Sequence, residues 1–113
     1  MSETKYTEIF RLKEMLEQAD IPFEFFDRRL EIPDFKTLER YHIEYPKSYE
    51  SGERVCSVIE GWSTYGAEEN LLEIKGLLTP EEEQYDSVCG FLSAEEVFER
   101  IKHHYETEGK TNG

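Results

Sequence analysis

Arg54-Val55-Cys56-Ser57-Val58-Ile59-Glu60 is the stretch whose reading decides the fold. Val55, Val58 and Ile59 are β-branched, Cys56 is small and apolar, and neither glycine nor proline interrupts the run, so it reads as a strand. A polar loop from Pro46 to Glu53, with Gly52, precedes it. Before that loop Tyr41-His42-Ile43-Glu44-Tyr45 alternates. Tyr41, Ile43 and Tyr45 fall on one face, His42 and Glu44 on the other, which is the pattern of a half-buried strand.

Outward from these strands the period changes. Over residues 7–19, Ile9, Leu12, Met15, Leu16 and Ala19 recur at helical spacing, and Asp20-Ile21-Pro22 ends that helix because proline disfavours helical geometry in the residue before it. Phe23-Glu24-Phe25-Phe26-Asp27 reads as a further strand, and Glu31-Ile32-Pro33-Asp34-Phe35 holds a turn signal. Downstream, Ser57-Val58 leads through a glycine-bearing loop into Ala67-Glu68-Glu69-Asn70-Leu71-Leu72-Glu73-Ile74-Lys75. Ser87-Val88 leads likewise into Ala94-Glu95-Glu96-Val97-Phe98-Glu99-Arg100-Ile101-Lys102. The echo predicts two strand–loop–helix units, with helices over 67–75 and 94–106 and Gly76 as the left-handed stop of the first. Ser93 with Glu96 has capping-box spacing, and so does Thr79 with Glu82, where Pro80 takes the first helical position. The expected architecture is α+β: a small, mostly antiparallel sheet of three to four strands with helices on one face, over residues 1–106, and a frayed tail over 107–113.

Charge sets the partner classes. The chain of 113 residues carries 26 Asp and Glu against 13 Lys and Arg, a formal net charge of −13. Direct binding to nucleic acid or to an anionic membrane needs basic patches, so both are excluded as expectations. Seven Phe, seven Tyr and one Trp separate the chain from disordered acidic sequences. From Glu60 onward 13 acidic residues face 4 basic ones, so that half holds most of the field. Cys56 and Cys89 each sit in a strand-like run and read as apolar strand residues. No signal peptide and no run of membrane-spanning length is recognised, which places the protein in the cytoplasm as an expectation.

Two segments stand out as candidate binding residues. Gly61-Trp62-Ser63-Thr64-Tyr65-Gly66 crowds two glycines, two hydroxyls and two aromatics between a strand and a helix; Trp62, Ser63, Tyr65 and Gly66 are its contact candidates. It lacks the Gly-Lys-Ser/Thr of a phosphate loop, and Glu68 and Glu69 would repel phosphate there. The acidic run Glu81, Glu82, Glu83 and Asp86 reads as a solvated helix face available to a basic partner. His103 and His104 are adjacent, so they point to different sides of a helix, and His42 stands alone in sequence; no metal site is expected. No acid, base and nucleophile group together, so no catalytic residue is assigned, and only Cys56 meeting His42 and a carboxylate would alter that reading. No cofactor is implied.

Cys56-Ser57-Val58-Ile59, Ser63-Thr64-Tyr65-Gly66, Leu71-Leu72-Glu73-Ile74 with Gly76-Leu77-Leu78-Thr79, and Gly90-Phe91-Leu92-Ser93-Ala94-Glu95-Glu96-Val97-Phe98 resemble a group of short acidic proteins of phages and prophages of Firmicutes. The resemblance spans roughly residues 41–104; Trp62 and Lys75 depart from it. It implies a phage or prophage accessory role and carries no chemistry. The function expected is that of a non-enzymatic binding protein occupying a basic host or phage protein through its acidic surface. The alternative is a nucleotide-like small-molecule site at residues 61–66. A homodimer through sheet edges stays open.

Overall fold

The computed structural model describes residues 6–28, 30, 31, 33, 37–47, 55–61, 70–85 and 88–109. The first helix, α1, spans Glu8–Gln18. Strands β1 (Glu24–Asp27), β2 (Leu30–Glu31), β3 (Thr37–Leu38), β4 (Arg40–Tyr45), β5 (Cys56–Gly61) and β6 (Leu72–Lys75) follow. Then come α2 (Pro80–Tyr85), β7 (Val88–Leu92) and α3 (Ala94–His104), which winds on as a π-helical turn over Tyr105–Gly109. Five strands form one sheet in the order β1-β4-β5-β6-β7, antiparallel at every step; β2 and β3 make a separate antiparallel pair.

Alternation does the work. In the β4–β5 register Tyr41 lies opposite Glu60, Ile43 opposite Val58 and Tyr45 opposite Cys56, and all of these are buried beneath the helices. Leu72 and Ile74 continue that face on β6, and Ile9, Leu12 and Leu16 of α1 with Ala94, Val97 and Ile101 of α3 close over it. The sheet has one strand more than the sequence reading allows, and the extra strand is the correction to the repeat. Leu72–Lys75 is β6, not the end of a helix over 67–75: Leu71 and Ile74 have helical spacing, but Leu72 and Ile74 stand two apart, the strand period, and both β5 and β7 offer a ladder. Gly76 does take positive φ, at +96°, but it turns the chain out of a strand rather than stopping a helix.

Helix ends follow the expected chemistry. At α1, Asp20 adopts φ 60°, its N–H bonds to Glu17 O, and the Ile21 N–H bonds to Leu16 O, a Schellman stop with Ile21 and Leu16 both buried. Ser93 and Glu96 form the capping box of α3, and Thr79 and Glu82 bond reciprocally at α2. The start of α1 is capped from a distance. Asn70 Oδ1 accepts the Thr7 N–H at 2.8 Å, and Glu60 Oε1 accepts the Ile9 N–H at 2.9 Å. Beside them Glu8 Oε1 accepts the Ala94 N–H at 3.3 Å, which ties the first turn of α1 to that of α3. The helices therefore run side by side in the same direction, and residues near both C-terminal ends line one cavity.

Candidate functional site

The outer surface of the helical layer is acidic. Glu14, Glu17 and Asp20 on or just past α1, Glu81 and Glu83 on α2, and Glu95, Glu96, Glu99 and Glu106 on α3 and its π turn are all exposed. Among the described residues of the three helices, Arg11 is the exposed lysine or arginine, and it is paired with both Glu8 and Glu95. Amphipathic spacing produces this layer: the positions that do not face the sheet in α1 and α3 are dominated by glutamate.

Within the acidic run the residues divide. Glu81 and Glu83 are exposed, as a solvated face requires. Glu82 is not part of that face. Its carboxylate takes two bonds from Arg100 of α3, at 2.8 and 2.7 Å, and Arg100 also donates to Leu77 O at 3.0 Å. The Arg100 guanidinium first, and the Thr79 N–H second, hold the Glu82 carboxyl down at about 2. Cys89 lies against the pair, its Sγ 3.5 Å from Glu82 Oε2, and burial first, then Glu82, push its thiol up. Glu82 is thus a fastener that holds α2 beside α3. A lowered carboxyl stabilises the fold above its ordinary value of 4.5, and that contribution is lost as pH falls through about 2. Arg100→Gln is expected to cost about 1–2 kcal/mol at neutral pH, allowing for the partial exposure of the pair, and to flatten acid unfolding in that window, as urea titrations across pH would show.

The sheet's opposite face carries a polar cluster. His42 Nε2 lies 2.5 Å from Ser57 Oγ and 3.5 Å from Glu44 Oε1, with the Phe26 ring 6.0 Å away. Ser57 and Glu44 are 3% and 6% exposed. Both contacts fall on the same ring nitrogen. A nucleophile–base–acid relay needs the acid on the other nitrogen, so this arrangement is not one. Cys56 is on the helix-covered face, opposite Tyr45, and so does not meet His42. His104 bonds through Nδ1 to Tyr45 Oη at 2.8 Å, while His103 is exposed, as adjacent helical positions demand.

One aromatic residue was not singled out by the sequence. Phe91 on the edge strand β7 is 58% exposed and has φ 61°. The register slips by one residue there: Ile74 pairs with Cys89 and Leu72 with Leu92, so β7 bulges opposite Glu73. Phe91 rather than the adjacent Gly90 takes the left-handed conformation. The three-residue step from Cys89 to Leu92, both packed inward, breaks the strand period and is the signal that could have revealed it. Phe91 is thus a large apolar side chain turned to solvent on a backbone that costs it strain.

Trp62, Ser63, Tyr65 and Gly66 of the aromatic loop, and Asp86 of the acidic run, lie outside the described residues, and with them the nucleotide-like alternative. Among the described residues no group of three His, Cys, Asp or Glu side chains is placed to hold a metal ion, and no helix is long and apolar enough to cross a membrane. Comparison with protein-family models, with curated proteins and with solved structures finds no match. The class that the geometry defines is an α+β domain, a five-stranded antiparallel sheet with its helices on one face. Its distinguishing surface is the acidic outer side of those helices.

Proposed function

We propose that this is a non-enzymatic binding protein that docks its acidic helical layer onto a basic surface of a host or phage protein in the cytoplasm, with Phe91 as the apolar anchor. The observation that carries the reading is the one-sided charge: among the described residues of the helices and their ends, nine exposed carboxylates stand against a single exposed arginine, already paired. Opposite potentials steer encounter and suppress wrong partners, and a desolvated aromatic near such a surface supplies affinity. The same surface disfavours nucleic acid as a direct ligand, because it would repel phosphates.

The test is affinity capture from the source cells at low and then moderate salt, with wild type and with the charge-reversed variant Glu83→Lys/Glu99→Lys. Both positions are exposed and form neither cap nor core, so folding is retained. The reading expects a basic protein that is released by salt and whose retention falls about tenfold or more on reversal. Retention indifferent to both salt and reversal would contradict it.

A further inference from the structure

From the cavity at the far end of the two parallel helices we infer a receptor for one guanidinium: an arginine side chain of the basic partner seats between Asp20 and Glu106 against Tyr105. The inference rests on the docking reading above and names the contact that would orient it.

The cavity has a volume of about 250 Å³ and is lined by Ala19, Asp20, Ile21, Lys102, Tyr105 and Glu106. Sites for drug-sized ligands usually run from about 300 to 1,000 Å³, so this one suits a single side chain rather than a nucleotide. Its charges are arranged for a cation. Asp20 and Glu106 stand exposed at the edge. Among the described residues neither forms an ion pair with Lys102, so two carboxylates and one ammonium are held apart around an open space. The balance is one negative charge, which a monocation neutralises.

The backbone adds to the field in the same direction. Asp20 directly follows the C-terminal end of α1, where the helix dipole presents its negative pole. On the other side the chain changes from α to π winding at Tyr105.

Arginine fits this lining better than lysine. Its guanidinium is planar, bridges two carboxylates with separate N–H donors, and stacks on an aromatic face. Tyr105 provides the aromatic wall, and Ala19 and Ile21 an apolar bed for the methylene stem. The ammonium of Lys102 at the same cavity sets an upper limit of one further cation.

The experiment is a titration of the full-length, isotope-labelled protein with N-acetyl-arginine amide, followed by backbone amide NMR. N-acetyl-citrulline amide, which is neutral and nearly isosteric, is the control. The expected result is saturable shifts confined to residues 19–21 and 102–106, with half-saturation in the millimolar range and no response to citrulline. Asp20→Asn, which keeps a side chain that tolerates positive φ, should weaken arginine binding about fivefold without disturbing the rest of the spectrum. Shifts spread over the whole acidic layer without saturation, or an equal response to citrulline, would overturn the site. Loss of the site while partner capture stays sensitive to salt and charge reversal overturns this inference alone. A saturable arginine site in a protein whose capture ignores both overturns the docking reading instead.

Discussion

Glu60→Gln is expected to abolish a loss of stability that the wild-type protein suffers between about pH 5 and pH 8. Glu60 is 0% exposed, one oxygen accepts the Ile9 N–H, and the other has no hydrogen-bond partner among the described residues. Burial first, and the neighbouring charge of Glu8 as well, push its carboxyl up from 4.5 to about 7; bonds from the first N–H groups of α1 oppose the rise without cancelling it. Between those two values the folded protein holds a proton that the unfolded chain has released. The stabilisation from that proton is complete below 4.5 and is lost as pH rises through 7. At about 1.4 kcal/mol per pH unit the loss amounts to about 3 kcal/mol. Glutamine keeps the acceptor for Ile9 and carries no charge. The difference in unfolding free energy between Glu60→Gln and wild type should therefore grow by about 3 kcal/mol in favour of the variant across this range, read from urea titrations at each pH. A difference that stays constant with pH would show that the carboxyl does not titrate there.

Gly76→Ala should be as costly, for a steric reason. A Cβ at Gly76 would lie 2.5 Å from Val55 O and 3.0 Å from Cys56 Cα, and the residue has φ +96°. Both obstacles are backbone at the start of β5, so no side chain can rotate away. Strain at positive φ and overpacking add, and the expected loss is about 3 kcal/mol or more by urea unfolding. A loss below about 1 kcal/mol would mean that the chain leaving β6 moves freely away from the start of β5. The close approach explains why residues 72–75 lie as a strand against β5: the glycine lets the chain pass the Val55 carbonyl on its way out of the ladder.

Much of the fold was legible because the local signals agreed with one another. Tyr41, Ile43 and Tyr45 alternate and face the helices, the two capping boxes mark the true starts of α2 and α3, and Pro22 follows the stop of α1. The strand at 72–75 is masked in the sequence because Leu71 and Ile74 have helical spacing while Leu72 and Ile74 alternate, and the neighbours across the ladder decide between them. The buried carboxylate was within reach of the pattern, since Cys56, Val58 and Glu60 share one face by strict alternation. Its partner was not, because the N–H groups it caps belong to a helix 51 residues earlier in the chain. Glu82 looked like one glutamate among several, and its pairing with Arg100 depends on how α2 packs, which no local period encodes. The candidate surface was foreseen in its charge but not in its place. Acidic residues of α1, distant in sequence from the C-terminal run, join it only once the helices lie in parallel.

Phe91→Gly tests the binding reading most directly, because stability and binding should part company. Glycine adopts φ 61° without strain, and Phe91 is 58% exposed, so little packing is lost. The measurement is a pair: the urea midpoint of the variant, and its Kd for the captured partner beside that of wild type. If Phe91 is held in its strained conformation as a contact, the variant is at least as stable, by up to about 1 kcal/mol, and binds about tenfold or more weakly. Unchanged affinity in a variant of raised or equal stability would contradict the account and remove Phe91 from the docking surface.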